Sequence, residues 1–412
     1  VLHLIPSHQS RPSDDPIFSL HREATQRKDR GEDVVDASIG VLLDDEGALS
    51  ILPTVARAVR EVPGLEWATY APIAGTPEFV RAVIDDLLMG EPAMRESAVA
   101  VATPGGSGAI RHAITNFLEP GQAALTTSWF WSPYRTLCDE SDRKLDTFTM
   151  FDDSGRLDVA ALDGALERQL AAQGRALVIV NDPAHNPTGY SMTLAEWAAL
   201  AKCIGKHAAR HPVTLLIDCA YCLYGAADRD PLAFLTHLAP LLGRAALLFA
   251  WSASKSFTHY GLRVGALVAC IGDPAERAKV SAALSYSSRG TWSNCNHGGL
   301  SAITRVLVDP EMKKAVNVER AALKAVLSAR VDAFNALAQK AGLRYPRYDG
   351  GFFVTVFVDR PREQGDAMKT RGVFAVPQVA ASGTGGVLRV ALCAVASRHV
   401  PRLVDALRDS GH

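Results

Sequence analysis

Lys255 stands in Trp251-Ser252-Ala253-Ser254-Lys255-Ser256-Phe257, directly after the apolar run 245–250, and Arg263 follows eight residues later. An amine delivered by a buried strand, set among small hydroxyls and ahead of a cation, suits a covalent bond to an aldehyde whose phosphate lies nearby. A solvated surface lysine is the competing reading, and the apolar run before it argues against that.

Other stretches could serve the same chemistry. Thr103-Pro104-Gly105-Gly106-Ser107-Gly108-Ala109 joins a strand pattern to a helix pattern. Glycines at such a junction let backbone N–H groups face outward, where the helix dipole favours an anion, and Ser107 adds a hydroxyl. They also serve tight turns for steric reasons alone, and the spacing is not that of a nucleotide P-loop. In the segment 181–189, Asn186 could donate its amide to a ligand at the C-terminal edge of a sheet, or the segment could be a plain turn. Asp218 ends an apolar strand three residues before Tyr221. A buried carboxylate there is costly unless paired. It could hold a proton on a heteroaromatic nitrogen while Tyr221 donates to a phenolate oxygen; a helix N-cap is the alternative. Of Trp129, Phe130 and Trp131, two read as core and one as a stacking partner for a flat ring. Arg389 lies inside the apolar stretch 387–392, where it should be paired or grip a carboxylate with its two-pronged guanidinium.

These residues need rigid carriers. Residues 98–103, 177–180, 213–217, 245–250 and 266–270 read as strands apolar almost throughout. Strands of that kind are covered on both faces, so a mostly parallel α/β sheet between helices is expected. Ile110, Ala113, Ile114, Phe117 and Leu118 recur at helical spacing until Pro120-Gly121. Residues 311–340 read as one long amphipathic helix, and 351–358 and 387–393 alternate with helical segments in a smaller α+β lobe. The expected division is an arm at 1–15, a small domain formed by 16–49 and 324–412, and a large domain at 50–323.

The formal net charge of -1 implies neither nucleic acid nor a membrane surface as partner. No apolar run reaches the ~18 residues of a membrane span, and no signal peptide is read at the N-terminus, so a cytoplasmic location is expected. Cys219-x-x-Cys222 has no second pair at metal-site spacing and reads more easily as small core residues. The histidines form no metal-like cluster in sequence, and no metal is expected.

Taken in order, these motifs resemble the fold-type I pyridoxal-phosphate aminotransferases, and within them the aspartate/aromatic subgroup. The likeness starts at Asp15-Pro16-Ile17-Phe18. It takes in Ser38-Ile39-Gly40-Val41, the stretch from Tyr70 to Phe79, the Gly105–Ala109 loop, Trp131, His185-Asn186-Pro187-Thr188-Gly189, Asp218 to Tyr221, Ser252 to Lys255 with Arg263, Arg289 with Ser293-Asn294, and Arg389. The resemblance implies a seven-stranded sheet in the large domain and pyridoxal 5'-phosphate as cofactor. Lys255 would bond the cofactor's aldehyde, Asp218 would keep its ring nitrogen protonated, and Tyr221 and Asn186 would bond its ring oxygen. Gly105, Gly106, Ser107, Ser252 and Arg263 would hold its phosphate, and Trp131 would stack on its ring. Arg389 would take the substrate α-carboxylate beside Asn186, Trp131 and the Gly40 backbone. Tyr70 and Arg289 would reach the neighbouring subunit's site in a homodimer, Tyr70 toward cofactor and Arg289 toward a distal carboxylate.

The implied activity is transfer of an amino group from an aromatic amino acid, aspartate or both to 2-oxoglutarate, by a ping-pong mechanism. Arg289, read as buried, argues for a dicarboxylic partner, and Leu42, Leu43 and Leu49 at the entrance argue for an aromatic one. A lyase or decarboxylase on the same fold, or a cofactor-binding regulator, are the alternatives. The chain also departs from the family: two histidines that support the ring-binding aspartate in many aspartate aminotransferases are replaced by Tyr134 and Asn181.

Overall fold

The structure, a computed structural model, describes residues 3–226, 228–380 and 385–411. The chain divides into two compact units, one of residues 50–329 with 346–352, the other of 1–49, 330–345 and 353–412. The helix Pro310–Lys340 carries the chain from one to the other. In chain order the strands are β1 (Val35–Asp36), β2 (Ala98–Pro104), β3 (Ala123–Thr127), β4 (Lys144–Phe148), β5 (Ala176–Asn181) and β6 (Val213–Asp218). They continue as β7 (Ala246–Ser252), β8 (Val264–Cys270), β9 (Phe353–Val358), β10 (Val373–Phe374), β11 (Val376–Val379) and β12 (Gly386–Ala391).

The larger unit is built on a seven-stranded sheet of order β2-β8-β7-β6-β5-β3-β4. Only β8 runs against its neighbours; the other contacts are parallel. Every residue of β5, β6 and β8 is buried, because helices cover both faces. Side chains alternate between the faces with the pleat. Val178, Val180, Leu215 and Ile217 enter the core that holds Trp197 of the helix Leu194–Ala208. Leu177, Ile179 and Leu216 enter a second core, with Tyr134 and with Ile110 of the helix Gly105–Phe117.

Edge strand β4 has no counterpart among the strands expected from sequence. Its five residues alternate Lys, Leu, Asp, Thr, Phe, and only Leu145 and Phe148 are buried, so it lacks the apolar run that marks its neighbours. In the smaller unit β1 pairs in parallel with β10, and β11-β12-β9 form an antiparallel sheet. Arg389 lies in the central strand of that sheet, opposite Val376 and Thr355.

Candidate active site

Register gathers the chemistry at one edge of the large sheet. Asn181 pairs with Asp218 and Asp218 with Ala250, so β5, β6 and β7 end side by side. Two residues past Ala250, Ser252 caps the one-turn helix Ala253–Ser256, accepting from the Ser254 N–H at 3.2 Å, and this turn carries Lys255. Here lies a cavity of about 140 Å³, lined by Gly106, Ser107, Ile110, Trp131, Asn181, Asn186, Asp218, Ala220, Tyr221, Ser252, Ser254, Lys255 and Arg263.

One end of the cavity suits an anion. The helix Gly105–Phe117 begins there, and its first N–H groups have no helical partner. Gly105 has φ +67°, and a Cβ on it would come within 2.4 Å of Arg263 Nη2. Glycine thus leaves the space in which the guanidinium lies against the loop. Arg263 Nη1 donates to Ser254 Oγ at 3.1 Å and to the Tyr260 carbonyl at 2.9 Å. Gly265 is also required, since a Cβ there would meet the Gly105 backbone at 2.5 Å.

The other end suits a flat ring with a basic nitrogen. Asp218 is buried; Oδ2 accepts from the Tyr134 hydroxyl at 2.6 Å and Oδ1 from the Ala220 N–H at 3.1 Å. Burial pushes its carboxyl above the usual carboxylate range, against the pull of Tyr134, Ala220 and the Lys255 ammonium. Asn181 ties the edge together. Its amide donates to the Asp218 carbonyl at 2.8 Å, and its own oxygen accepts from the Asn186 N–H at 2.7 Å. Lys255 is half-buried, with Nζ 5.1 Å from the centre of the Tyr221 ring, itself edge-on to Phe352 at 5.3 Å. His185 of the same motif is structural. Burial lowers its pKa to about 3, so the ring is neutral, and it bonds Thr188 Oγ1 at 2.8 Å inside the turn.

Of the residues singled out in sequence, Gly106, Ser107, Trp131, Asn186, Asp218, Tyr221, Ser252, Lys255 and Arg263 line this one cavity. Ser254, Ile110, Ala220 and Asn181 line it as well, a role their sequence context does not assign. Ser254 carries a signal, a hydroxyl inside the lysine turn; Ile110 is only an apolar residue one turn into the helix. Tyr70 and Arg289 do not line it. Tyr70 is 87% exposed, and Arg289, expected to be buried, is exposed in the single chain, donating to Ser293 Oγ at 2.9 Å.

Gly40 and Arg389 belong to the smaller unit. Arg389 is 4% exposed; it donates to the Ser38 carbonyl and lies 4.7 Å from the centre of the Phe353 ring. A Cβ on Gly40 would come within 2.4 Å of that ring. Leu42, expected at the entrance, is 1% exposed and therefore core, whereas Leu43 bridges to Leu49, which is 44% exposed. The fold also forms a grouping that no spacing announces: Asp163, Cys203 and His207 converge across two helices. Lys206 holds both oxygens of that carboxylate at 2.8 and 2.7 Å, and His207 Nε2 takes one at 2.7 Å, which makes it an ion-pair network.

Residues 32–407 match the family model described as aminotransferase class I and II. The chain is 29% identical over 302 residues to an aromatic-amino-acid aminotransferase of Paracoccus denitrificans, covering 73% of this chain and 74% of that one. It is 30% identical over 317 residues to a tyrosine aminotransferase of Rhizobium meliloti, covering 74% and 76%. An aminotransferase structure from Anaerococcus prevotii superposes with a TM-score of 0.92 at 29% identity, covering 100% of both chains. The aromatic-amino-acid aminotransferase of Burkholderia pseudomallei, described as covalently bound to pyridoxal phosphate, shares the fold at 21% identity with a TM-score of 0.81, over 98% of this chain and 99% of that one. The donor set fits such a cofactor: helix N–H groups, hydroxyls and a guanidinium for a phosphate, a buried carboxylate for a ring nitrogen, and an amine beside them. The chain belongs to the class I and II aminotransferases, pyridoxal-phosphate enzymes of fold type I.

Proposed function

We propose that this aminotransferase moves the amino group of an aromatic L-amino acid, aspartate or both to 2-oxoglutarate by a ping-pong mechanism. The observation that carries the reading is a single cavity in which Lys255, Asp218 and Tyr221 face an anion cradle made by Gly106, Ser107, Ser252 and Arg263. When bound, pyridoxal phosphate supplies an aldehyde and an aromatic ring able to store the electron pair of a broken Cα–H bond. Gly106, Ser107, Ser252 and Arg263 would hold the phosphate, and Gly105 keeps the loop close to Arg263. Trp131 would pack on the ring, Tyr221 and Asn186 would donate to its oxygen, and Asp218 would hold the proton at its nitrogen. Lys255 would hold the aldehyde through its amine and, when that amine is free, would serve as the general base and acid that moves the Cα proton. Arg389 takes the α-carboxylate with its fork, beside the Gly40 backbone.

We further propose a homodimer in which Tyr70 and Arg289 serve the neighbouring site, Arg289 meeting a distal carboxylate. In support, both side chains are exposed, and Leu65 (73%) and Tyr286 (82%) add exposed apolar surface on the same unit. Substrate breadth is supported by relatives named for aromatic amino acids, tyrosine and aspartate. Leu42, being buried, adds nothing to that argument. Among the described residues no helix is long and apolar enough to cross a membrane, and all seven cysteines are buried thiols, which suits a reducing cytoplasm.

The test is a half-reaction. Purified enzyme mixed with one amino donor and no acceptor should release one equivalent of 2-oxo acid per site and then stop. Continuous release, or free ammonia, would instead identify a lyase. Arg289→Ala should raise KM for dicarboxylic substrates and spare phenylalanine.

A further inference from the structure

Tyr134 does not line the cavity, and its hydroxyl reaches the site through Asp218. It lies on the short helix Pro133–Asp139, 1% exposed, and its hydroxyl donates to Asp218 Oδ2 at 2.6 Å. The phenol has little freedom to turn away. Its ring stands edge-on to Trp131 at 5.6 Å and stacks on Phe130 at 6.5 Å, and Trp131 faces the cavity. The second oxygen of Asp218 is occupied by the Ala220 N–H, so both donors within the chain are neutral. The titratable groups that act on the pair are Lys255, Tyr221 and Cys219.

A neutral donor has a definite effect on such a carboxylate. It stabilises the anion and so makes it a weaker base, without adding a charge. Burial and the neighbouring Asp218 hold the Tyr134 hydroxyl far above the usual phenol range, so it keeps its proton throughout the neutral and alkaline range. A histidine in this place would itself titrate near neutrality; the phenol does not.

We propose that Tyr134 is a positioning residue whose hydroxyl keeps Asp218 the weaker base of the pair it forms with the cofactor's ring nitrogen, so that the shared proton stays on nitrogen at any working pH. The inference rests on the reading that this cavity takes pyridoxal phosphate. Loss of the hydroxyl strengthens Asp218 as a base and draws the proton toward oxygen, which weakens the ring as an electron store. Asn181 fixes the backbone of the same aspartate and is electrically silent in this respect.

The experiment loads the enzyme with pyridoxal phosphate labelled with ¹⁵N in the ring and follows the nitrogen resonance from pH 6 to 9. Wild type should stay at the protonated-pyridinium position across the range. Tyr134→Phe should move the resonance toward neutral pyridine at every pH in the range, and raise the cofactor's dissociation constant on the order of tenfold, the loss of one hydrogen bond to a charged group. If Tyr134→Phe does not fold, 3-fluorotyrosine at position 134 keeps the shape and makes a stronger donor. The ring N–H proton, shared less with Asp218, should then resonate further upfield than in wild type. A folded, loaded Tyr134→Phe enzyme with the wild-type resonance at every pH overturns the inference, as does a fluorotyrosine enzyme with an unshifted ring N–H proton. Wild-type enzyme that takes up no cofactor overturns the functional reading, and this inference with it.

Discussion

Two aspartates at the same sheet edge are nearly alike in kind and opposite in use. Asp218 ends β6, and Asp182 comes one residue after Asn181, its register partner on β5. Both are buried, at 4% and 2% exposure, and burial raises both carboxyls, that of Asp182 to about 8. They lie on opposite faces of the sheet. Asp182 follows Val180 in the pleat and reaches the Trp197 side, accepting from the Trp197 indole N–H at 3.1 Å and the Met192 N–H at 2.8 Å. Those bonds tie the strand end to the start of the helix Leu194–Ala208. Asp218 follows Leu216 to the other side, where Tyr134 meets it and Lys255 shares its cavity. A larger cavity of about 440 Å³ even adjoins Asp182, with an apolar lining around Trp197 and Phe234. Burial, a raised pKa and cavity size therefore do not single out the aspartate proposed to face the cofactor. The face of the sheet, and the amine and anion cradle on that face, do.

The widest break between the two faces should come from Lys255→Ala. Transamination followed by 2-oxo acid release should vanish, while thermal unfolding stays close to wild type, because the side chain is only half-buried. Near-native turnover in that variant would remove the reason for preferring this face. Asp218→Asn should come next. An uncharged amide cannot hold a proton on a ring nitrogen, so kcat should fall by about 10²-fold or more, the scale of losing a preorganised charge partner. The same change at Asp182 should leave kcat within a factor of ~3 at 25 °C, since its partners are all structural. Equal losses of kcat from the two substitutions would erase the distinction.

Much of the Asp218 face is legible in the amino-acid sequence alone. Its residues sit at strand ends and in glycine- or proline-rich turns, and those positions are fixed by local chemistry: Gly105 by its left-handed φ, Ser252 by its cap, Asp218 by the end of an apolar run. Asp182 is not, because a structural acid in a turn carries no pattern of its own. Its role appears only when Met192 and Trp197 fold back onto it. The same holds for Tyr134: its replacement of a histidine is visible in sequence, while its bond to Asp218 is not. Arg289 and Leu42 go the other way. One reads as buried and is exposed in the single chain, and the other reads as an entrance residue and is core. Exposure depends on what the remaining chain, or a second copy, lays over a residue, and spacing does not encode that. Strand β4 escapes because an edge strand keeps polar residues outward and shortens its apolar signal.

The smallest expected effect is on stability, and it has a sign. The folded chain keeps a proton on Asp182 up to about pH 8, whereas an unfolded aspartate releases it near ~3.9. Between those values the folded state binds more protons, so this contribution is complete below the unfolded pKa and is lost as pH rises through 8. Two buried histidines act in the reverse sense. Burial lowers His112 to about 4 and His185 to about 3, so their contribution is present above ~6.5 and lost as pH falls. The window from 6.5 to 8 therefore exposes the Asp182 contribution free of both histidines. There the stability of wild type relative to Asp182→Asn should decline with a slope of up to ~1.4 kcal/mol per pH unit. On top of that slope the asparagine variant loses about 1–3 kcal/mol, because its amide can accept only one of the two N–H bonds. Urea unfolding of both proteins at saturating cofactor, in half-unit pH steps, measures the difference. Parallel curves through that window would mean that Asp182 is ionised in the folded chain. Both aspartates would then be charged, and the contrast with Asp218 would rest on the face of the sheet alone.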